Sequence, residues 1–221
     1  MNRLAIFDCD GTLVDSGATI HAALVASFEQ NGHALPSIGA CRRIIGLSLN
    51  EAMASLLPDL SSEQHAVLSE DYKRAFWELR AAEKVEEPLF DGVLELLDAL
   101  EADGWLLAVA TGKSDRGLRH CLESHGIHAR FASLQTADRH PSKPHPSMVE
   151  QAIADAGAEP GTSIVIGDTS FDMAMAAAAG AAPIGAGWGY HEPEELIDAG
   201  AIAVAEHPSE VLELIKEHAN G

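Results

Sequence analysis

The sequence predicts an α/β protein: a parallel sheet with helices on both faces, carrying a small all-helical segment inserted after the first strand. Three observations lead there. Arg3 to Phe7 form a compact apolar run that stops abruptly at acidic residues and a glycine, as a buried strand does. Only helix-like patterns follow, to about residue 86. From Pro88 onward strand-like and helix-like stretches alternate. A chain of 221 residues can hold one substantial core with a smaller inserted domain. The division read from it is 1–15 and 87–221 for the α/β domain and 16–86 for the helical one.

The helical stretch opens with residues 19 to 31, where Ile20, Ala23, Leu24, Ser27 and Phe28 make one stripe that stops at Asn31-Gly32. Residues 38 to 57 read as two short helices broken at Gly46. Ser61 with Gln64 offers a capping box to a longer helix reaching about Ala82, with Val67, Leu68, Tyr72, Ala75, Phe76 and Leu79 on its apolar side. In the alternating half, residues 91 to 103 carry a helical stripe that ends at Gly104, and Trp105 to Ala110 form a buried strand ending in Thr111-Gly112-Lys113-Ser114. A helix runs from there to about His125, a short strand covers Phe131 to Thr136, and Ser142-Lys143-Pro144-His145-Pro146 is a rigid loop. Met148, Val149, Ala152, Ile153 and Ala156 mark the next helix, closed by Gly157. Ser163 to Gly167 is the most strand-like run of this half, followed by Asp168-Thr-Ser-Phe-Asp172 and an alanine-rich helix to Gly180. Short strands near 182–186 and 201–205 and a helix from about Pro208 complete the chain.

Composition narrows the function classes. With 34 acidic and 14 basic residues the net charge is −20, which repels a phosphate backbone and disfavours nucleic acid as a partner. No run of about 18 apolar residues occurs and aspartates begin by position 8, so neither a membrane span nor a secretory signal is read, and the expected location is cytoplasmic. Cys9, Cys41 and Cys121 have no paired spacing and read as buried small hydrophobes. The 11 histidines show no H-E-x-x-H or triad pattern and read as surface or loop residues.

The chemistry concentrates where strands end. In a parallel sheet the carboxyl ends of strands share one edge, so Asp8 and Asp10, Thr111, and Asp168 with Asp172 can converge, with Lys143 supplied by a loop. Each residue type suits phosphoryl transfer. Asp8 can attack phosphorus as a carboxylate nucleophile, and Asp10 can protonate the leaving oxygen and later deprotonate water. Asp8 and Asp168, with the main-chain carbonyl of Asp10, can hold magnesium, the hard cation that oxygen-only ligation favours. The Thr111 hydroxyl, backbone amides nearby at Gly112 and the Lys143 ammonium can hold phosphoryl oxygens, while Asp172 positions Lys143 or a metal-bound water. Gly11 allows a sharp turn and Thr12 can donate a hydroxyl.

Asp8-Cys-Asp10-Gly-Thr12-Leu-Val-Asp15-Ser16, then Thr111, then Lys143-Pro144, then Gly167-Asp168-x-x-x-Asp172 resemble the four ordered motifs of the haloacid dehalogenase superfamily. The resemblance covers the whole chain, residues 16–86 matching that superfamily's type 1 helical cap, and is strongest to phosphoglycolate phosphatases and their broad-specificity relatives. It implies a Rossmann-like three-layer core, a mobile cap, Mg2+, and hydrolysis of small phosphorylated metabolites through an aspartyl-phosphate at Asp8. Asp10 separates the chain from the dehalogenase branch, which lacks the second aspartate, because a halide leaves without a proton and an alkoxide does not. A phosphomutase, a pyrophosphatase and a catalytically silent phosphate-binding protein stay open as alternatives.

Within the helical stretch, Arg43 or Arg42 either contacts the non-phosphate end of the substrate, where a carboxylate suits a guanidinium fork, or is solvated on a helix. Lys113 and Arg116 either add positive potential near the mouth of the site or lie on a solvated helix face. Trp188 and Tyr190 either line the cleft or pack an edge.

Overall fold

The computed structural model describes residues 2–220, and the side chains of 2–217. Its centre is a six-stranded sheet formed by β1 (Asn2–Phe7), β2 (Trp105–Thr111), β3 (Phe131–Thr136), β4 (Ala158–Gly167), β5 (Ala182–Ala186) and β6 (Ala203–Ala205). The strand order is β3-β2-β1-β4-β5-β6 and every neighbouring pair is parallel, so all six carboxyl ends lie on one edge. In β1 the alternation of side chains sends Ala5 and Phe7 to one apolar layer and Leu4 and Ile6 to the other. Because both faces are covered, the strand reads as a continuous apolar run.

Three helices cover the first face: α5 (Val93–Ala102), α6 (Asp115–Ser124) and α10 (Val211–Asn220). The second face is covered by α7 (Ser147–Ala156) and α8 (Ser170–Ala178), whose small residues Ala152, Ala156 and Ala176 bring backbone close to the sheet. Gly157 closes α7 in the left-handed region, at φ 58°, as its sequence position anticipates. The short α9 (Pro193–Asp198), absent from the sequence reading, caps the β5–β6 end. Its signals were local and brief: a proline at the start, Glu195 closing a capping box with Glu192, and the single buried Leu196.

The inserted helices α1 (Gly17–Gln30), α2 (Ile38–Arg42), α3 (Leu49–Leu56) and α4 (Ser62–Ala81) build an apolar cluster of their own around Leu24, Phe28, Ile45, Met53 and Leu68. The Ser61–Gln64 capping box is formed in both directions. Val67 does not join the buried stripe of α4; it is 53% exposed, and Leu68, Ser69, Tyr72 and Ala75 face the neighbouring helices instead. His65, read as a surface residue, is buried with Nε2 at 2.8 Å from the Leu57 carbonyl. His191 is buried as well.

The chain leaves and re-enters the α/β part side by side. Val14 bridges Leu89 in antiparallel fashion, the Asp15 amide donates to the Pro88 carbonyl at 2.8 Å, and the Phe90 amide donates to the Leu13 carbonyl at 3.1 Å. All three cysteines are free and buried, and no helix among the described residues is long and apolar enough to cross a membrane.

Truncation separates the core stripe from the misread position. Leu97→Ala, at a fully buried site under the sheet, is expected to lower stability by about 3 kcal/mol, whereas Val67→Ala is expected to change it by about 0.5 kcal/mol or less. Urea unfolding of the two variants measures both, and comparable losses would contradict the placement of Val67.

Candidate active site

β1 ends because its backbone turns immediately after Asp8. The Cys9 carbonyl accepts from the amides of Leu13 (2.9 Å) and Val14 (3.0 Å), and the Gly11 amide donates to the Val14 carbonyl at 2.9 Å. Gly11 sits at φ +89°, and a Cβ there would lie 2.1 Å from a carboxylate oxygen of Asp168. No other residue can hold this turn against Asp168. Cys9, at the same turn, points into the apolar layer on the first face of the sheet, as strand alternation predicts.

Parallel registry brings the other strand ends level with Asp8. Phe7 pairs with Val109 of β2 and Ile166 of β4, which places Asp8 beside Ala110 and Gly167 and just short of Thr111 and Asp168. The carboxylate oxygens of Asp8, Asp168 and Asp172 lie within 4.8 Å of one another, all three buried. Into this acidic group reaches Lys143, fully buried, with Nζ 2.8 Å from Asp8 Oδ1 and 2.6 Å from Asp172 Oδ1.

The lone pairs of these carboxylates are unequally engaged. Asp172 accepts Lys143 on Oδ1 and both the amide (3.2 Å) and the hydroxyl (2.6 Å) of Thr169 on Oδ2, which closes the capping box of α8. Asp168 accepts the Thr12 hydroxyl on Oδ1 (2.8 Å) and the Tyr190 amide on Oδ2 (3.0 Å). Asp8 accepts no hydrogen bond at either buried oxygen, and Lys143 beside Oδ1 is its sole cationic partner among the described residues. A buried carboxylate oxygen without a partner is costly, and a divalent cation between Asp8 and Asp168 would remove that cost. The donor set, all oxygen and all carboxylate, fits a hard ion such as magnesium.

Burial pushes the Asp8 carboxyl up from 3.8 to about 7, against the pull of Lys143 and with a smaller push from Asp172. Asp168 is held well above the usual carboxylate range, first by burial and then by Asp8 and Asp172. Lys143 is held above its ordinary value because the attraction of Asp172 and Asp8 outweighs its own burial.

Asp10 takes a separate position. Its carboxylate accepts the Ser16 hydroxyl and lies 2.8 Å from Lys113 Nζ, so the side chain stands outside the acidic cluster; the main-chain carbonyl is the atom through which it was expected to meet a cation. Lys113 is no solvated helix residue. Its side chain is 91% buried, with the ammonium between Asp10 and Glu87, 2.7 Å from the latter, and these carboxylates hold its pKa well above the ordinary value despite burial. Glu87 also accepts Arg80 at 2.8 Å. No pattern in the sequence singled out Glu87, which pairs residues distant in the chain.

Thr111 is buried at the end of β2, and its Oγ1 accepts the Lys113 amide at 3.2 Å, leaving its own proton to be donated elsewhere. Gly112 lies directly beneath the loop between α2 and α3: a Cβ there would come within 2.5 Å of the Leu47 carbonyl. The same loop is tied by the Ser48 amide to Ser142 Oγ at 2.8 Å. Arg43 points elsewhere. Its guanidinium pairs with Glu195 of α9 at 2.6 Å on the exposed surface, so the expected reach towards the far end of a substrate is not made in this arrangement. Tyr190 packs against the apolar cluster of the inserted helices; its hydroxyl accepts the amides of Ser16 and Gly17 and donates to Asp15 at 3.0 Å, fastening the chain where it leaves the sheet. Trp188 donates to the Thr12 carbonyl at 3.0 Å.

The chain is similar to known proteins over most of its length. The family model described as haloacid dehalogenase-like hydrolase matches residues 5–186. The chain is 34% identical over 215 residues to "Probable phosphatase IndB" of Dickeya dadantii, covering 96% of this chain and 93% of that one. It is 31% identical over 194 residues to a phosphoglycolate phosphatase of Xylella fastidiosa, covering 87% and 83%. Among solved structures, a hydrolase from Pseudomonas syringae superposes with a TM-score of 0.85 at 27% identity, over 98% of this chain and 99% of that one.

The raised Asp8 and Asp168 mean that the folded chain binds more protons than the unfolded chain between the ordinary carboxylate range and about pH 7. Without a cation, stability therefore falls as pH rises through that window. A divalent ion replaces those protons, so magnesium is expected to raise Tm by several degrees at about pH 8 and by much less at about pH 5.5. Thermal melts with and without magnesium at the two pH values read this, and equal shifts would contradict it.

Proposed function

The chain belongs to the haloacid dehalogenase-like hydrolases, and from that premise we propose that it is a magnesium-dependent phosphatase of small phosphate monoesters acting through a phosphorylated Asp8. One observation carries the reading: a buried carboxylate, Asp8, stands at a strand end beside Asp168 with a buried lysine at one oxygen and no hydrogen bond at the other. An anion brought there meets a nucleophile, a cation and a hydroxyl donor together. The relatives named phosphatase and phosphoglycolate phosphatase support the same reaction class.

In this reading Asp8 attacks phosphorus while the bond to the ester oxygen breaks, and that oxygen takes a proton from Asp10 to leave as an alcohol. Asp10, now a carboxylate, takes a proton from water as the water oxygen attacks the phosphorylated Asp8. The phosphorus–Asp8 bond breaks, and inorganic phosphate leaves. Lys143 and the Thr111 hydroxyl hold phosphoryl oxygens, with the Gly112 backbone beside them, and Asp172 keeps Lys143 in place through the 2.6 Å contact. Bound by Asp8, Asp168 and the Asp10 carbonyl, magnesium supplies positive charge that lets an anionic nucleophile approach an anionic substrate.

Residues 16–86 act in this reading as a cap on a core made of 1–15 and 87–221. The separate apolar cluster of α1 to α4 and the paired crossing strands at Val14 and Leu89 support that division. The free, buried cysteines suit a cytoplasmic setting.

Phosphate release from a panel holding 2-phosphoglycolate, hexose phosphates and pyrophosphate, with magnesium, tests the reading. Wild type is expected to hydrolyse at least one ester, and Asp8→Asn to lower that rate about 10³-fold or more while leaving the circular dichroism unchanged. A rate within tenfold of wild type in the variant would refute Asp8 as nucleophile.

A further inference from the structure

A cavity of about 540 Å³ opens between the helical insert and the carboxyl edge of the sheet, and Asp10 is part of its wall. If the chain is the phosphatase proposed for it, the group leaving from phosphorus lies here, and the identity of the cavity's occupant rests on that reading. The opposite wall is apolar and aromatic: Leu24, Ile44, Ile45, Tyr72, Phe76 and Trp77. A volume in this range accommodates a ligand with rings, and is far larger than a two-carbon acid requires.

Charge in the cavity wall points the same way. Three of the cationic side chains that line it are ion-paired, Lys113 with Asp10 and Glu87, Arg80 with Glu87 and Lys73 with Glu70 at 2.6 Å, while Arg116 stacks on the ring of Trp77, 3.5 Å from its centroid, with no carboxylate partner among the described residues. Arg43, the residue expected to meet a carboxylate, is outside the wall and bound to Glu195. Two carboxylates, Asp10 and Asp138, also face the space. A negatively charged leaving group would exchange water for apolar side chains and like charge, and the one lining cation without a carboxylate partner among the described residues, Arg116, is stacked on Trp77.

We propose that the substrate's organic part is neutral, ring-sized and largely apolar, held between Tyr72 and Phe76 of α4 on one side and Leu24 of α1 with Ile44 and Ile45 of the loop between α2 and α3 on the other. A short carboxylic acid such as that of 2-phosphoglycolate is the wrong occupant. The aromatic pair Tyr72–Phe76, with ring centroids 6.0 Å apart, gives a flat group two faces to lie against.

Three esters whose leaving alcohols have comparable basicity separate recognition from reactivity: 2-naphthylmethyl phosphate, ethyl phosphate and 2-phosphoglycolate. With magnesium, kcat/KM for 2-naphthylmethyl phosphate is expected to exceed the other two by about tenfold or more. Phe76→Leu is expected to narrow that preference severalfold. Binding of 2-naphthalenemethanol, followed by intrinsic fluorescence of the wild type, needs no catalysis and no variant. Hydrolysis of 2-phosphoglycolate as fast as or faster than the naphthyl ester would overturn the proposal. If no ester is hydrolysed, saturable binding of the neutral alcohol would uphold the apolar site while refuting the phosphatase reading, and absence of binding would overturn both.

Discussion

The structure depends on keeping three carboxylates buried around one ammonium. Fully ionised, Asp8, Asp168 and Asp172 would carry more negative charge than Lys143 neutralises, and taking each ion out of water costs several kcal/mol before compensation, which is why protons are retained at Asp8 and Asp168. Much of the local architecture is that compensation. Thr12 and the Tyr190 amide serve Asp168, Thr169 serves Asp172 from its own helix cap, and Lys143 is delivered by a loop from the far side of β3. Asp8 is the member left short of partners, and that shortfall is what would make it available to a cation and, in the proposed reaction, to phosphorus. Reactivity and local instability have the same origin here.

The helical insert is joined to this centre by charge as well as by chain. Arg80 at the end of α4 meets Glu87 in the returning segment, Glu87 meets Lys113 after β2, and Lys113 meets Asp10. The thread runs from a helix above the sheet to the carboxylate assigned to proton transfer, through side chains that are mostly buried and therefore weakly screened by salt. A second attachment lies across the site, where the loop between α2 and α3 rests on Gly112 and Ser142. Arg43 and Glu195 make a third, on the exposed surface, where an ion pair contributes little. Position of the insert and placement of the Asp10 carboxylate are thus linked through named contacts.

Legibility in the sequence followed the range of the interaction. Strand β1, the helix from Ser62 to Ala81 with its cap, and the stop at Gly157 were readable because periodicity, capping and turn chemistry act within a few residues. Val67 was misassigned because it adjoins the apolar stripe in sequence, and only the packing of α1 and α3 against α4 decides which flank is covered. His65 and His191 were misread for a similar reason, since burial of a polar ring depends on a partner or neighbour that no local pattern announces. Lys113 and Glu87 are the sharpest instance: each looks like an ordinary charged residue until the returning chain sets them together with Asp10.

By itself the sequence determined the α/β class, the helical insert and which side chains stand at strand ends, because these follow from alternation along a strand, the helical period and glycine at the turns. It also carried the ordered motifs that mark the family. The tertiary structure alone decided how those side chains divide the work. It gave Lys143 to Asp8 and Asp172, left the second oxygen of Asp8 without a partner, drew Arg43 out to Glu195 and lined the cavity beside Asp10 with apolar side chains and aromatic rings. The physical reason is that electrostatic partnership and burial depend on distance in space, which a chain specifies only once its strands are in register.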